Sequence, residues 1–126
     1  MARFAAKLIG IDVVPVALLE RWLARYSDDQ LSLVFTPRER SRAKQSGQAA
    51  VTLAISYAGK EAVAKALGTG FTRVMPSEIE ILSSPFDVRV QLAGAALERA
   101  IERCALGWTG TYWRLGEDIV TTVMTI

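Results

Sequence analysis

The stretch that decides the fold is Ser56–Gly70, SYAGKEAVAKALGTG. It predicts the last turns of a long helix that ends at Gly68, because glycine readily adopts the left-handed conformation that follows a helix. Glu61 and Lys65 are four residues apart and therefore share one helix face. A carboxylate and an ammonium group beside a glycine loop can together handle a metal-bound phosphate. The other interpretation is an ordinary surface ion pair, which contributes about 0.3–0.5 kcal/mol to a helix.

An apolar strand is predicted near the start of the chain, from about Ala6 to Val14. Its sequence from Leu8 onward, LIGIDVV, is rich in β-branched residues, as expected for a buried strand. Asp12 is the one carboxylate in this run, and a buried carboxylate is unfavourable unless it is paired or binds a cation. Asp12 is therefore a candidate metal ligand. The alternative is that Asp12 caps the turn at Pro15.

Two further motifs are found along the chain. Phe35–Glu39, FTPRE, combines a capping box with a proline at the first helical position, and so predicts a helix start. Ser77–Leu82, SEIEIL, predicts a strand after the glycine loop.

The four stretches together resemble the 4′-phosphopantetheinyl transferase superfamily, specifically its short holo-(acyl-carrier-protein) synthase type. That family has a G-(I/L)-D-(I/V) strand, an (L/F)-T-x-x-E helix start, a KEA-xx-KA-x-GTG helix end and a D-I-E-I strand. The resemblance and the pattern of helices and strands both predict an α+β fold, with a small, mostly antiparallel sheet packed on a long central helix. The length of 126 residues predicts one domain, 1–126.

The resemblance implies a role for each matching residue. Asp12 and Glu61 correspond to the family's two magnesium ligands. Glu61, directly or through a water molecule, is expected to accept a proton, and Lys65 to face the leaving phosphate. The residues expected to bind coenzyme A are Lys60, Lys65, Gly68, Thr69 and Gly70. In the loop, the missing side chains and free N–H groups are expected to let phosphate approach.

The function that the resemblance implies is magnesium-dependent transfer of the 4′-phosphopantetheine arm of coenzyme A to a serine of an apo acyl or peptidyl carrier protein. Adenosine 3′,5′-bisphosphate is the leaving group. The alternative is a diverged, non-catalytic member that binds a carrier protein or assembles as a scaffold subunit.

The sequence departs from the family pattern in the region expected to hold the coenzyme. Ser56 stands where the family has an arginine, and Gly59 where it has an alanine. The family's S-x-S/T-H strand corresponds to Thr111–Leu115, and the chain contains no histidine at all. Arg114 is predicted to replace the family's histidine as a phosphate-binding residue, because a guanidinium group binds phosphate well.

A basic helix face, containing Arg38, Arg40, Arg42 and Lys44, follows the capping box. One interpretation is a docking surface for an acidic carrier protein, because complementary charge would accelerate the encounter of the two proteins. The other interpretation is a solvated helix face. The formal net charge of +2 does not indicate nucleic-acid binding.

Composition limits the remaining possibilities. A single cysteine, Cys104, fits a reducing compartment, and we expect a cytoplasmic protein. The absence of histidine with only one cysteine excludes a structural zinc site of the usual type, and no apolar run is long enough for a membrane span. The final segment Ile119–Ile126, IVTTVMTI, predicts either a strand at a homotrimer seam, as the resemblance implies, or a central strand of a monomer.

Other expectations concern packing. In the first helix, Leu18, Leu19, Trp22, Leu23 and Tyr26 are predicted to face the core. A helix over Ala93–Leu106 is predicted to bury Leu97, Ile101 and Cys104. The long central helix, Gln48–Leu67, is predicted to turn Ala50, Leu53, Ala54, Tyr57 and Ala64 toward the core. A final hairpin is predicted from Trp108–Trp113 and Ile119–Ile126. The short apolar segment Gln30–Val34 has no clear assignment.

Overall fold

The computed structural model describes residues 7–126, so Ala6, the predicted start of the first strand, lies outside the described residues. The elements are β1 (Ile9–Pro15), α1 (Val16–Arg25), α2 (Asp28–Leu31), α3 (Pro37–Ser46), α4 (Ala49–Ala66), β2 (Ile79–Ser84), β3 (Asp87–Leu92), α5 (Gly94–Glu102), β4 (Trp108–Leu115) and β5 (Asp118–Thr125). A 3₁₀ turn, Pro76–Glu78, precedes β2.

The strands form one five-stranded sheet in the order β1-β5-β4-β3-β2, with every neighbouring pair antiparallel. The long helix α4 packs across one face of this sheet and supplies much of the core, including Leu53, Ala58 and Val63. The predicted α+β fold, with a mostly antiparallel sheet on a long central helix, is confirmed.

Glycine allows α4 to approach the sheet at two points. A Cβ atom at Gly10 would lie 1.9 Å from the carbonyl oxygen of Ala62, so β1 can rest directly on the helix only with glycine there. A Cβ atom at Gly59 would lie 2.9 Å from the side chain of Ile81, which explains why glycine is tolerated where the family has alanine. Because Asp12 lies two residues after Gly10, it points to the same side of the sheet, toward α4.

The other side of the sheet is open in the single chain. Side chains alternate along the paired strands, so β1, β5 and β4 each present one row of residues away from α4. Ile9, Ile11 and Val13 on β1 are 65%, 51% and 53% exposed, and Trp113 and Leu115 on β4 are also exposed. This apolar surface is called the open sheet face below, and it includes Met124 on β5.

Several packing predictions need correction. The helix predicted over Ala93–Leu106 spans only Gly94–Glu102, so Cys104 lies in the turn after α5 and is exposed. Leu97 and Ile101 in α5 are also exposed, because the helix buries Ala96 and Ala100 instead. In α1, Leu19 is fully buried and Leu18 and Trp22 are partly buried, but Leu23 and Tyr26 are exposed. The helix ends before Tyr26, and its inner face is narrower than the apolar pattern indicates.

The segment Gln30–Val34, which the sequence left without an assignment, contains the end of α2. Ser27 and Gln30 form a capping box that starts this short helix. Within residues 7–126, no helix combines the length and the apolar character needed to cross a membrane.

Candidate functional site

Asp12, Glu61 and Lys65 come together where β1 lies against the last turns of α4. The Lys65 ammonium group donates a hydrogen bond to Asp12 Oδ1, and this ion pair links residues that are 53 positions apart in the sequence. The hydrogen bond to Asp12 raises the pKa of Lys65, and the nearby charge of Glu61 acts in the same direction. Among the described residues Lys65 makes its ion pair with Asp12, and not the surface pair with Glu61 that was the other interpretation of the spacing.

The pairing also decides between the two interpretations of Asp12. Its side chain is mostly buried, and its carboxylate is turned to Lys65 and α4. The residue before α1 is Pro15, and no side-chain hydrogen bond caps that helix within the described part of the chain. Asp12 therefore belongs to the site and does not cap the turn at Pro15.

Tyr57 is a fourth member of the site, which the sequence reasoning assigned only to the core. It precedes Glu61 by one helical turn and is partly buried. Burial is the main cause that raises the pKa of its hydroxyl, and the carboxylates of Glu61 and then Asp12 raise it further. The charges of both acidic groups therefore act on Tyr57. The i, i+4 spacing of Tyr57 and Glu61 was the available signal.

These residues fit a magnesium ion that is shared with a phosphate. Residues 7–126 contain no group of three or more acidic, histidine or cysteine side chains that could enclose a metal by themselves. Magnesium commonly takes only one or two carboxylates and completes its octahedron with phosphate oxygens and water. Asp12 on β1 pairs with Lys65, and the charge of Glu61 on α4 also acts on Lys65, so these two carboxylates are the oxygen donors nearest to such a site.

The glycine loop differs from its predicted role. The N–H groups of Gly68, Thr69 and Gly70 donate to the carbonyl oxygens of Lys65 and Ala64, at 3.0, 3.2 and 3.2 Å. They satisfy the last carbonyl groups of α4, which lack partners within the helix. The expectation of free N–H groups for phosphate is therefore wrong.

The loop nevertheless leaves space beside the end of α4. Gly68 and Gly70 have φ angles of +77° and +55°, and nothing lies within 4 Å of a Cβ atom built at Gly70. The Thr69 side chain is buried, and its hydroxyl donates to the carbonyl oxygen of Gly70 at 2.9 Å. Coenzyme contact at this loop stays a prediction that rests on its shape.

Lys60 cannot bind a coenzyme, and that prediction is wrong. Its side chain is fully buried and its ammonium group lies 2.7 Å from Glu39 Oε1. The same group donates to the carbonyl oxygens of Pro76 and Ile79, at 2.9 and 2.5 Å, so all three of its protons have acceptors in the core. Lys60 holds the helix in place next to Glu61 and does not take part in the site.

Glu39 has two structural roles, of which the sequence indicated one. Its carboxylate accepts a hydrogen bond from the N–H of Thr36 at 2.8 Å, which confirms the capping box of α3. It also accepts from the N–H of Ile81 at 2.8 Å and pairs with Lys60. Burial raises the pKa of Glu39 and lowers that of Lys60, and the mutual attraction of the pair opposes both shifts.

Ser56 and Arg114, which depart from the family pattern, lie in different environments. Ser56 is buried and donates to the carbonyl oxygen of Ile81 at 3.0 Å, so it belongs to the core. Arg114 is exposed near the end of β4, where its Nε donates to the carbonyl oxygen of Gly116 at 2.8 Å. It lines an open cleft of about 550 Å³ together with Arg42 and Trp113.

The basic helix face is largely paired within the chain. Arg38 lies 3.3 Å from Glu80, and Lys44 lies 3.3 Å from Asp28. Arg42 donates to a backbone carbonyl group of β2 at 2.8 Å. These contacts favour the solvated helix face over a dedicated docking surface for an acidic partner.

Comparison with known proteins agrees with this geometry. The family model of the 4′-phosphopantetheinyl transferase superfamily matches residues 8–123, which include β1, α4 and most of the β4–β5 hairpin. The holo-[acyl-carrier-protein] synthase of Halorhodospira halophila is 40% identical over 98 residues, a match that covers 74% of this chain and 75% of that protein.

Solved structures share the fold. The holo-[acyl-carrier-protein] synthase of Neisseria meningitidis superposes with a TM-score of 0.80 at 23% identity, covering 94% of this chain and 97% of the other. The Helicobacter pylori holo-[acyl-carrier-protein] synthase, solved in complex with coenzyme A, gives 0.75 at 24% identity, covering 92% and 97%. The site geometry and the family match lead to one conclusion: the chain belongs to the 4′-phosphopantetheinyl transferase superfamily and is of the holo-(acyl-carrier-protein) synthase type.

Proposed function

We propose that the protein transfers the 4′-phosphopantetheine arm of coenzyme A to a serine of an apo acyl or peptidyl carrier protein. The observation that carries this proposal is the meeting of Asp12, Glu61 and Lys65 at the β1–α4 contact, in a chain of this family. The coenzyme A complex of the Helicobacter pylori relative supports coenzyme A as the donor. The carrier protein sets the pathway, whether fatty-acid, polyketide or peptide synthesis. A cytoplasmic location stays a prediction from the single cysteine.

The reaction needs charge neutralisation and alignment more than covalent help from the protein. The serine oxygen bonds to the phosphorus that carries the pantetheine arm, and the bond from that phosphorus to the bridging oxygen breaks. Adenosine 3′,5′-bisphosphate leaves with the electron pair. Asp12 and Glu61 are the residues that would hold a magnesium ion, whose chemistry would be to neutralise charge on the pyrophosphate.

The residues of the chain have complementary roles in this step. Glu61, or a water molecule that it holds, accepts the proton of the serine hydroxyl. Lys65, whose pKa is raised and which is therefore protonated near neutral pH, stabilises or protonates the leaving phosphate. In the structure Lys65 neutralises Asp12, and a divalent cation bound to Asp12 would free the ammonium group for the phosphate.

The direct test is mass spectrometry of an apo carrier protein after incubation with this protein, coenzyme A and magnesium. The proposal predicts the mass gain of one phosphopantetheine group, none when a chelator replaces magnesium, and none on a carrier whose acceptor serine is alanine. No mass gain on any apo carrier, together with tight binding of one of them, would instead establish the non-catalytic alternative.

Arg114 is proposed to contact a phosphate of coenzyme A in place of the histidine that the chain lacks. Its support is the cleft that it shares with Arg42 and Trp113, where two guanidinium groups and an aromatic ring suit a nucleotide. We expect Arg114→Ala to raise the KM for coenzyme A by about tenfold, the effect of losing one charged hydrogen bond. Turnover at saturating coenzyme should change little. Arg25→Ala, an exposed arginine on α1, is the control, and an equal KM in both variants would reject the assignment.

A homotrimer is proposed from the resemblance and from the open sheet face. Contiguous exposed apolar surface on a soluble protein marks an interaction site, and β1, β4 and β5 present such a surface. Light scattering should give three times the chain mass of 13.8 kDa. Ile11→Lys, on the open sheet face, should shift the protein to monomer, whereas the control Leu33→Lys, at an exposed position of the loop that follows α2, should not. A monomeric wild-type protein at micromolar concentration would refute the trimer.

A further inference from the structure

Phe86 occupies a backbone conformation that its side chain disfavours. Ser84 of β2 pairs with Asp87 of β3, so Pro85 and Phe86 form the two-residue turn between these strands. Phe86 has a φ angle of +71°, in the left-handed region where the second residue of a turn is usually glycine or asparagine. Residues held in such conformations cluster at ligand-binding and active sites, where the strain accompanies function.

Hydrogen bonds from β4 hold the backbone of this turn. The Thr111 hydroxyl donates to the carbonyl oxygen of Phe86, and the Tyr112 hydroxyl donates to the carbonyl oxygen of Ser84 at 3.0 Å. Both bonds end on main-chain oxygens, which every residue type supplies. The turn would therefore keep these bonds with glycine or asparagine at position 86, and they do not account for a phenyl ring there.

The ring of Phe86 also adds little to the core. The residue is 76% exposed, which is far more than expected for a phenylalanine that stabilises the fold by burial. It borders the open cleft of about 550 Å³ that Arg42, Trp113 and Arg114 also line. A strained, exposed aromatic residue at the edge of a cleft is explained by a ligand that covers it.

The side chains of the cleft select the chemistry of that ligand. Arg42 donates from one Nη to a backbone carbonyl group and Arg114 donates from Nε, so each guanidinium group keeps further N–H donors for an anion. Phe86 and Trp113 supply flat apolar rings, on which a nucleic-acid base stacks through its own π-face. A molecule with a planar base and several phosphates matches both sets of groups, and coenzyme A is such a molecule.

We propose that Phe86 is a coenzyme-binding residue, whose ring stacks on the adenine base of coenzyme A in this cleft. This inference rests on the proposed function, which makes coenzyme A the donor. It goes further by placing the base at the β2–β3 turn, and by giving a reason for a phenylalanine where the backbone favours glycine. The base takes no part in the bonds that form and break, so Phe86 affects affinity for the coenzyme and not turnover at saturation.

The test compares wild type with Phe86→Asn, Phe86→Tyr and the control Leu33→Asn, which removes an equally exposed apolar side chain after α2. Binding of adenosine 3′,5′-bisphosphate in the presence of magnesium is measured by calorimetry. We expect affinity to fall about tenfold in Phe86→Asn, the scale of losing one contact between a base and an aromatic ring. It should stay within twofold of wild type in Phe86→Tyr, which keeps the ring, and in Leu33→Asn.

A second ligand, ribose 3,5-bisphosphate, isolates the contribution of the base. It carries both phosphates and lacks adenine, so Phe86→Asn should change its affinity by less than twofold. An equal loss of affinity for both ligands would show that Phe86 shapes the cleft without contacting the base, and would overturn the inference.

Stability should change in the opposite direction to affinity. Asparagine is accepted in the left-handed region, so the thermal midpoint of Phe86→Asn should equal or exceed that of wild type. A lower midpoint together with unchanged affinity would make Phe86 a structural residue. A change in particle mass by light scattering, again with unchanged affinity, would make it a contact between copies of the chain. Either result would overturn the inference.

These measurements do not depend on the transfer reaction. Weaker binding of adenosine 3′,5′-bisphosphate by Phe86→Asn, in a wild-type protein that modifies no carrier protein, would support the inference and reject the proposed function. Transfer by a wild-type protein whose affinity for adenosine 3′,5′-bisphosphate is the same in Phe86→Asn would support the proposed function and reject the inference.

Discussion

Lys65→Ala is expected to lower the turnover of phosphopantetheine transfer by roughly 10²–10³-fold, the scale of losing one electrostatic stabiliser of a transition state. The reason is that negative charge on the leaving bisphosphate grows as the bond to phosphorus breaks, so an ammonium group at that point binds the transition state more strongly than the substrate. Steady-state kinetics at saturating coenzyme and carrier protein measures the effect. Lys65→Arg should not restore full turnover, because a planar guanidinium group has a different shape and does not readily give up a proton.

The stability of Lys65→Ala should stay close to that of wild type. The Lys65 side chain is 54% exposed, and ion pairs with so much solvent access contribute only about 0–1 kcal/mol. Lys44→Ala is the matched control, since Lys44 is also an exposed lysine paired with an aspartate. Denaturant unfolding should show similar small losses in both variants, while only Lys65→Ala loses turnover. Retention of turnover within threefold in Lys65→Ala would show that the assigned role of this helix face is wrong.

Local signals in the sequence predicted much of the fold. The capping box of Thr36 and Glu39 placed the start of α3 correctly, because both of its hydrogen bonds are made between residues three positions apart. The glycine at position 68 marked the end of α4, and it has the expected positive φ angle. The two segments Trp108–Trp113 and Ile119–Ile126, with a turn between them, correctly predicted the β4–β5 hairpin. Each of these features depends on neighbouring residues alone.

The site required contacts that local patterns do not contain. The i, i+4 spacing left open whether Lys65 would form a surface ion pair with Glu61, but folding brings Asp12 from β1 close enough to pair with Lys65 instead. Lys60 lies next to Glu61 in sequence, yet the helical turn of about 100° per residue directs it into the core. The glycine loop was expected to offer its N–H groups, but the carbonyl groups at the end of α4 take them first.

Lys60→Met is expected to destabilise the protein by about 3–5 kcal/mol, the range observed when one partner of a buried ion pair is removed. The variant keeps a side chain of similar length but leaves the Glu39 carboxylate buried without its counter-ion. It also leaves the carbonyl oxygens of Pro76 and Ile79 without a donor. Urea unfolding measures the loss, and Lys44→Met, at an exposed lysine, should lose less than about 1 kcal/mol. Equal midpoints for the two variants would show that the buried ion pair does not hold α4 to α3.

The double variant Lys60→Met/Glu39→Gln tests whether the unpaired buried carboxylate causes the destabilisation of Lys60→Met. Glutamine keeps the shape of Glu39 and an acceptor for the N–H of Ile81, but its amide NH2 group replaces the oxygen that accepts from the N–H of Thr36. Removing the buried charge should outweigh the loss of that one hydrogen bond, so the double variant should be at least as stable as Lys60→Met alone. The single variant should also depend on pH in a way that the double variant does not. Without Lys60, burial holds the pKa of Glu39 above its ordinary value of 4.5, so the folded state binds more protons than the unfolded state as pH rises through 4.5. The stability of Lys60→Met, relative to the double variant, should therefore fall as pH rises above 4.5. A pH-independent difference would mean that lost packing, and not the unpaired carboxylate, causes the destabilisation.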